Sequence, residues 1–362
     1  MDNLPREIIV NILSRLPIKP LIRCKSVCKS FLNLTRDPYL INTHLNHASS
    51  HNEENPTLIL HTTTISYSFN QFRSHLYYAT QTPTNSFSCE QIHFISPLNI
   101  NEFRVLGSCN GLLFLLHPTI DGRVSVINPS TRKLIEIPNL MAGKSSVGMG
   151  IGFSPKSNEY KVVKVFDWSA LYVYSLSKGI WREVGAPSFK ISGDLKSNVC
   201  VNGVVHWASD SPSNSIVCFN VADEVFDVIP YPAGGLRQGG FSLAVFSGCL
   251  GVIEYEENNC IDIWVMKDYN VRESWTRSFT INLKNQFWWD CKDVQVLCVQ
   301  KNGEILMRYR NQELWFYDPK NMIFRKPSIF GFPHSFEAVC HVGSLVSPSD
   351  EDISKPKSMK TK

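Results

Sequence analysis

The stretch Val124-Ser125-Val126-Ile127-Asn128-Pro129-Ser130-Thr131-Arg132 reads as a β-strand running into a turn: β-branched residues come first, then Asn, Pro and Ser. The same unit returns at 171–179, 216–224, 261–268 and 314–321, each time four or more strand-forming residues followed by turn formers. The recurring large side chains are Ile127, Tyr174, Phe219, Trp264 and Tyr317, spaced 47, 45, 45 and 53 residues apart. A weaker copy, Leu76-Tyr77-Tyr78-Ala79, puts an anchor at Tyr78, 49 residues before Ile127.

A second feature repeats in phase with the first. Gly111, Gly203 and Gly248 precede their anchors by 16 residues and Gly303 precedes its own by 14, while Asn158 holds the offset of 16 before Tyr174. Asn110-Gly111, Asn202-Gly203 and Asn302-Gly303 are hairpin turns, where φ must be positive. Each unit is therefore four strands, and four-stranded units of about 45–50 residues are the signature of a β-propeller. Six anchors predict six blades, with strands near Leu58 to Phe69 and Ala338 to Val346 left to close the ring. In such a unit the first and third turns share one side of the disc, and the middle loop and blade-to-blade link share the other. The first and third turns are short here. The links are long: Gly185 to Ser197, Tyr231 to Gly240, and Lys284 to Asp293 with Phe287-Trp288-Trp289.

Ahead of the repeat the pattern is helical. Ile8, Ile9, Ile12, Leu13 and Leu16 form a wide apolar stripe, with Pro5 and Glu7 suited to a first helical turn and Pro17 to its stop. A second helix opens at Pro20 with Leu21 and Ile22, and a third, around Val27 to Leu34, ends before Asp37-Pro38. Three short helices carry more apolar surface than they can bury, which implies a partner.

The order Leu4-Pro5, Glu7-Ile8, Ile12-Leu13, Arg15-Leu16-Pro17, then Leu21, Arg23, Val27-Cys28-Lys29 and Phe31, resembles an F-box. Phe31 stands where that family usually has Trp. Gly107 to Leu113, Gly152 to Pro155 with Tyr160 to Val163, and Val201 to Trp207 resemble the F-box-associated domain of plant F-box proteins, a relative of kelch propellers. Repeat and resemblance together imply a mainly β chain with a small α module, a three-helix F-box over residues 1–48 and a six-bladed propeller over 56–347, and the polar, charged, apolar-poor composition of 348–362 predicts a disordered tail. It also implies a role as the substrate-recognition subunit of an SCF ubiquitin ligase. The F-box then binds a Skp-type adaptor, and through it a cullin, by Leu4, Pro5, Ile8, Ile9, Ile12, Leu13, Leu16, Pro17, Leu21, Val27, Cys28 and Phe31, some of which must instead hold the helices together. The propeller binds an unknown protein substrate through the long loops, with Phe189, Arg237, Trp288 and Trp289 as first candidates. The competing reading is a kelch-like propeller acting as a glycan-binding or enzymatic module, the F-box serving only assembly or turnover. No acid–base or ligand constellation stands out by spacing, so the chain reads as a non-catalytic receptor without cofactor or metal.

Composition fits this reading. No apolar run reaches membrane-spanning length, and the first residues lack the basic-then-apolar order of a signal peptide. The 11 cysteines are scattered, several within apolar runs, and read as reduced thiols, which points to the cytoplasm or nucleus. Residues 1–48 hold seven Lys or Arg against three Asp or Glu, whereas residues 49–348 are nearly neutral, which argues against nucleic acid and for an acidic protein partner of the N-terminal module. Three weaker patterns take plainer readings. Cys24, Cys28, His44 and His47 have poor zinc spacing. Gly148, Gly150 and Gly152 lack the dinucleotide-loop spacing. His206 and His334 lack a nucleophile nearby.

Overall fold

The computed structural model describes residues 4–52, 57–66, 71–82, 84, 86–94, 102–118, 122–140, 146–166, 170–185, 192–211, 215–232, 240–284 and 290–349. Four helices come first: α1 (Arg6–Ser14), α2 (Ile18–Cys24), α3 (Lys29–Leu34) and α4 (Pro38–Asn52). Pro5 and Pro17 occupy the N-cap positions of α1 and α2, so Pro17 both ends one helix and starts the next. Pro20 falls within the first turn of α2, where no backbone N–H is needed. Helix α4 is an addition to the three expected. Asp37-Pro38 stops α3, but it also starts α4: the Asp37 carboxylate accepts from Tyr39 N at 2.9 Å, and Pro38 is preset for a first helical turn.

The first blade takes β1 (Thr57–Ser66), β2 (Gln71–Gln81) and β3 (Phe87–Ile92). The second is β4 (Arg104–Cys109), β5 (Leu112–His117), β6 (Arg123–Asn128) and β7 (Lys133–Ile137). The third is β8 (Gly148–Ser154), β9 (Glu159–Phe166), β10 (Ala170–Ser175) and β11 (Ile180–Gly185). The fourth is β12 (Ser192–Val201), β13 (Val204–Ser211), β14 (Ser215–Asn220) and β15 (Val225–Ile229). The fifth is β16 (Phe241–Phe246), β17 (Cys249–Glu256), β18 (Cys260–Met266) and β19 (Trp275–Asn282). The sixth is β20 (Val294–Val299), β21 (Ile305–Tyr309), β22 (Glu313–Asp318) and β23 (Ile323–Arg325). Strands β24 (Ile329–Phe330) and β25 (Glu337–His341) then return to the first blade, giving the order β24-β3-β2-β1-β25. The ring of six is thus closed by the C-terminal strand, which pairs Leu60 with Ala338 and Leu58 with Cys340. The closing strand ends at His341; the sequence had carried it to Val346. The fourth blade's inner strand also begins at Ser192, which shortens the expected Gly185–Ser197 link.

One apolar cluster fills each junction between neighbouring blades, which is why strands such as Leu112–Leu116 are apolar on both faces. The anchors Ile127, Tyr174, Phe219, Trp264 and Tyr317 each pack against the preceding blade. Tyr78 breaks the rule. It faces the second blade, while its neighbours Tyr77 and Ala79 face the sixth, as the other anchors' pattern requires. The period of 2 along a strand makes a one-residue offset a change of face. Gly150 and Gly152 mark a close approach in the third blade: a Cβ would stand 2.4 Å from Val205 Cγ1 or 2.6 Å from Val221 Cγ2.

Candidate functional site

The helical module has its own small core of Val10, Leu13, Leu21 and Leu40, with Ile9, Leu16, Ile22 and Phe31 half-buried against it. This sorts the twelve sequence-derived residues. Leu13 and Leu21 are 4% and 0% exposed, so they hold the helices together and present nothing to a partner. Ile9, Leu16 and Phe31 divide between core and surface. Leu4, Ile8 and Ile12, by contrast, are 47%, 48% and 52% exposed at a spacing of four, one outward row that runs along α1 from Leu4, two residues before its first turn. Pro5, Pro17, Val27 and Cys28 are exposed as well, and the Cys28 thiol caps α3 by accepting from Phe31 N at 3.5 Å. Arg6 pairs with Asp37 and ties the start of α1 to the start of α4, which sets exposed Tyr39 on this same end of the module. Tyr39 was not among the sequence-derived residues; its signal was its place in the motif just after Pro38.

The module sits on the propeller through a strap the sequence did not reveal. After β25 the chain leaves the disc, and Leu345 enters the helical core. Asn128, wholly buried, donates to Ser344 O at 3.0 Å and Val346 O at 2.7 Å, while its Oδ1 accepts from Ser130 N and Thr131 N. Ser344 Oγ donates to Asn110 O at 2.8 Å and lies where a Gly111 side chain would be, so Gly111 serves both the turn and the strap. Lys19 pairs with Glu90 and lies over the Tyr78 ring at 5.7 Å, and Tyr78 shares a 2.8 Å hydrogen bond with Ser130. This pairing holds the Glu90 carboxyl below its ordinary value, Lys19 being its largest influence. Arg6 and Lys19 are therefore engaged within the chain, and less of the module's positive charge faces outward than the sequence count implies.

The Asn110, Asn128 and Ser130 contacts fall on the first and third turns of the second blade, while Tyr78 and Glu90 lie on β2 and β3 of the first, so the helices occupy the short-turn face. That face is not made of tight turns alone: Lys267 to Ser274 form a longer third turn, from which Tyr269 OH meets buried His206 Nε2 at 2.7 Å. The opposite face carries the strand ends that flank the long links, Gly185 and Ser192 among them. Phe189, Arg237, Trp288 and Trp289, the sequence-derived substrate residues, lie outside the described residues. Described groups on that face include the Arg310–Asp293 pair at 2.8 Å and a 380 Å³ pocket beside His117, Arg123 and Glu136. Inner strands enclose a central cavity of 530 Å³ that Arg308 and Glu337 line. Burial lowers the His117 pKa, and its Nε2 meets Ser125 Oγ at 2.7 Å, a packing contact.

Comparison with known proteins matches residues 60–350 to the F-box associated beta propeller domain and residues 1–46 to the F-box-like domain. The chain belongs to the F-box-associated propeller family. An F-box protein of Arabidopsis thaliana is 30% identical, the match covering 95% of this chain and 92% of the relative. From the same plant, F-box protein CPR1 is 25% identical over 99% of this chain and 92% of its own, and an F-box/kelch-repeat protein is 26% identical over 96% of each. The F-box-like match covers α1 to α3 and the start of α4, and the propeller match covers the strands behind them.

Proposed function

We propose that this F-box protein is the substrate-recognition subunit of an SCF ubiquitin ligase and has no chemistry of its own. The row Leu4, Ile8 and Ile12 carries the reading: three apolar side chains are turned outward on a helix whose other face is already satisfied. With Pro5, Pro17, Val27, Cys28 and Tyr39, this row docks on a Skp-type adaptor and through it on a cullin. The propeller face turned away from the helices holds the protein substrate, through loops that include Phe189, Arg237, Trp288 and Trp289. Holding both partners on one rigid body raises the local concentration of substrate lysines at a charged ubiquitin-conjugating enzyme. Its place of work is the cytoplasm or nucleus, where adaptor and cullin meet.

Co-purification tests the reading. The full chain is expected to bring down adaptor and cullin, and the double variant Ile8→Asp, Ile12→Asp to lose both while melting like the wild type. Retention of the adaptor by that variant would refute the docking surface.

A further inference from the structure

Two thiols from either side of the third blade meet beside the central cavity. Cys109 ends β4 of the second blade, Cys200 stands one residue before the end of β12 of the fourth, and the Cys109 thiol donates to the Cys200 sulfur at 3.8 Å. Each lies just ahead of its blade's first turn, Asn110-Gly111 and Asn202-Gly203. Cys109 is buried, whereas Cys200 is half-buried and lines the 530 Å³ cavity beside Ser108, so a small solute in the cavity reaches Cys200 first. The residue after Cys109 holds the strap, since Asn110 O accepts from Ser344 Oγ at 2.8 Å. That length is already at the optimum for a hydroxyl donor, so any displacement of Asn110 weakens the bond.

We propose that Cys109 and Cys200 form a reversible modification site, closed to a disulfide by hydrogen peroxide and reopened by a dithiol, which loosens the strap when closed. Transient, redox-sensing bonds are the usual form of disulfide in a reducing compartment. Cys200 is the attacking sulfur. The hydrogen bond from Cys109 holds its thiol below the ordinary value against the opposing effect of burial, and the backbone at Phe153 and Gly203 adds to this. The same bond, with burial, pushes the Cys109 thiol up. The Cys200 thiolate attacks one peroxide oxygen and the O–O bond breaks. Hydroxide leaves, takes up the proton that Cys200 released, and a sulfenic acid remains on Cys200. Cys109 then attacks that sulfur, the S–S bond forms, and the sulfenic oxygen departs as water with the Cys109 proton. Two thiols thus lose two electrons, and the peroxide becomes two waters. A dithiol reverses the step by exchange and is itself left as a disulfide. Bonded sulfurs stand about 2.05 Å apart, so closure draws the pair together by about 1.8 Å and moves Cys109 beside Asn110. Cys298 and Cys340 also share a hydrogen bond, but that bond and burial push Cys298 up, and the Cys340 thiol donates to Leu297 O at 3.3 Å.

The test titrates the purified, fully reduced full chain with hydrogen peroxide and maps cross-links by peptide mass spectrometry without reductant. A Cys109–Cys200 link is expected to form several-fold ahead of any other pair and to vanish on adding dithiothreitol. Dimedone, which traps sulfenic acids, should label Cys200 in Cys109→Ser, whereas Cys109 in Cys200→Ser should stay unlabelled. Hydrogen exchange over residues 343–346 should quicken when the wild type is oxidised and stay unchanged in peroxide-treated Cys109→Ser. Mapping on the wild type needs no variant to fold, and melts of the reduced variants separate a lost thiol from a lost fold. A Cys298–Cys340 link in place of Cys109–Cys200, labelling of Cys109 rather than Cys200, or strap exchange unmoved in the oxidised chain would each overturn the proposal.

Discussion

Asn128 is the residue on which the two domains turn. Its carboxamide satisfies two strap carbonyls and two turn N–H groups at once, all inside the protein. Asn128→Ala leaves those groups without partners, at a cost of about 1–3 kcal/mol for each that stays dry. A melting temperature several degrees lower is expected, with faster proteolysis after His341; a variant that melts and resists protease like the wild type would show that the strap is held elsewhere. His341 makes a second residue-scale prediction. Neither ring nitrogen has a hydrogen-bonding partner among the described residues, and burial holds its pKa down at about 3 against an ordinary 6.5. His206 is likewise pushed down to about 4, chiefly by burial. For both, the unfolded chain takes up a proton first as pH falls. Their contribution is thus complete above pH 6.5 and is lost progressively toward pH 3–4. Melting temperature should drop between pH 6.5 and 4, and His341→Leu should flatten that slope; an unchanged slope would assign acid sensitivity to other groups.

Among elements, α1 separates stability from binding. Its inward residues Val10 and Leu13 belong to the helical core, and its outward Ile8 and Ile12 to none of the core clusters. An exposed Ile→Asp change typically moves stability by about 0.5 kcal/mol, whereas Leu13→Asp buries an unpaired charge and costs several. Thermal melts beside adaptor pull-downs should therefore show Ile8→Asp, Ile12→Asp stable but unbound, and Leu13→Asp both unbound and unfolded. Strand β25 is the other decisive element. It supplies the inner strand of the first blade, so a chain ended before Ala338 leaves the inner edge of β1 unpaired, with β2 on its other side only, and opens the ring between the first and sixth blades. Aggregation on size-exclusion chromatography is expected. A soluble, cooperatively melting fragment ending at Gly331 would refute ring closure as the source of stability. A chain ended between His341 and Leu345 should keep the propeller but loosen the helices.

At the scale of the molecule, the helices cover one side of the disc and leave the other to the links between blades. Trp and Arg are the residue types that most often anchor interfaces, at about 2 kcal/mol or more each. Replacing Trp288 and Trp289 by Ala, or Phe189 and Arg237 by Ala, should lower substrate capture while adaptor binding and melting temperature stay put. Undiminished capture by a stably folded Trp288→Ala, Trp289→Ala variant would remove that pair from the recognition surface. A chain lacking the helices should retain its substrate without driving ubiquitination.

Sequence alone determined whatever depends on local pattern and period. The recurrence of strand, turn and large anchor gave six blades, because each blade must be apolar at the same places to pack on its neighbours. The order of apolar and Pro residues through Phe31 was enough to place the F-box, since short helices announce themselves by caps and stripes. The first anchor slipped by one residue because Tyr77 and Tyr78 are chemically alike, and only the facing blades distinguish them. Tertiary structure alone decided the rest. Leu13 and Ile12 are adjacent and equally apolar, yet one is core and the other surface, a difference fixed by where α2 and α4 lie. The strap from Gly343 to Val346 has no period to betray it, and its role arises from contacts with Asn128 and Asn110 more than two hundred residues away in sequence.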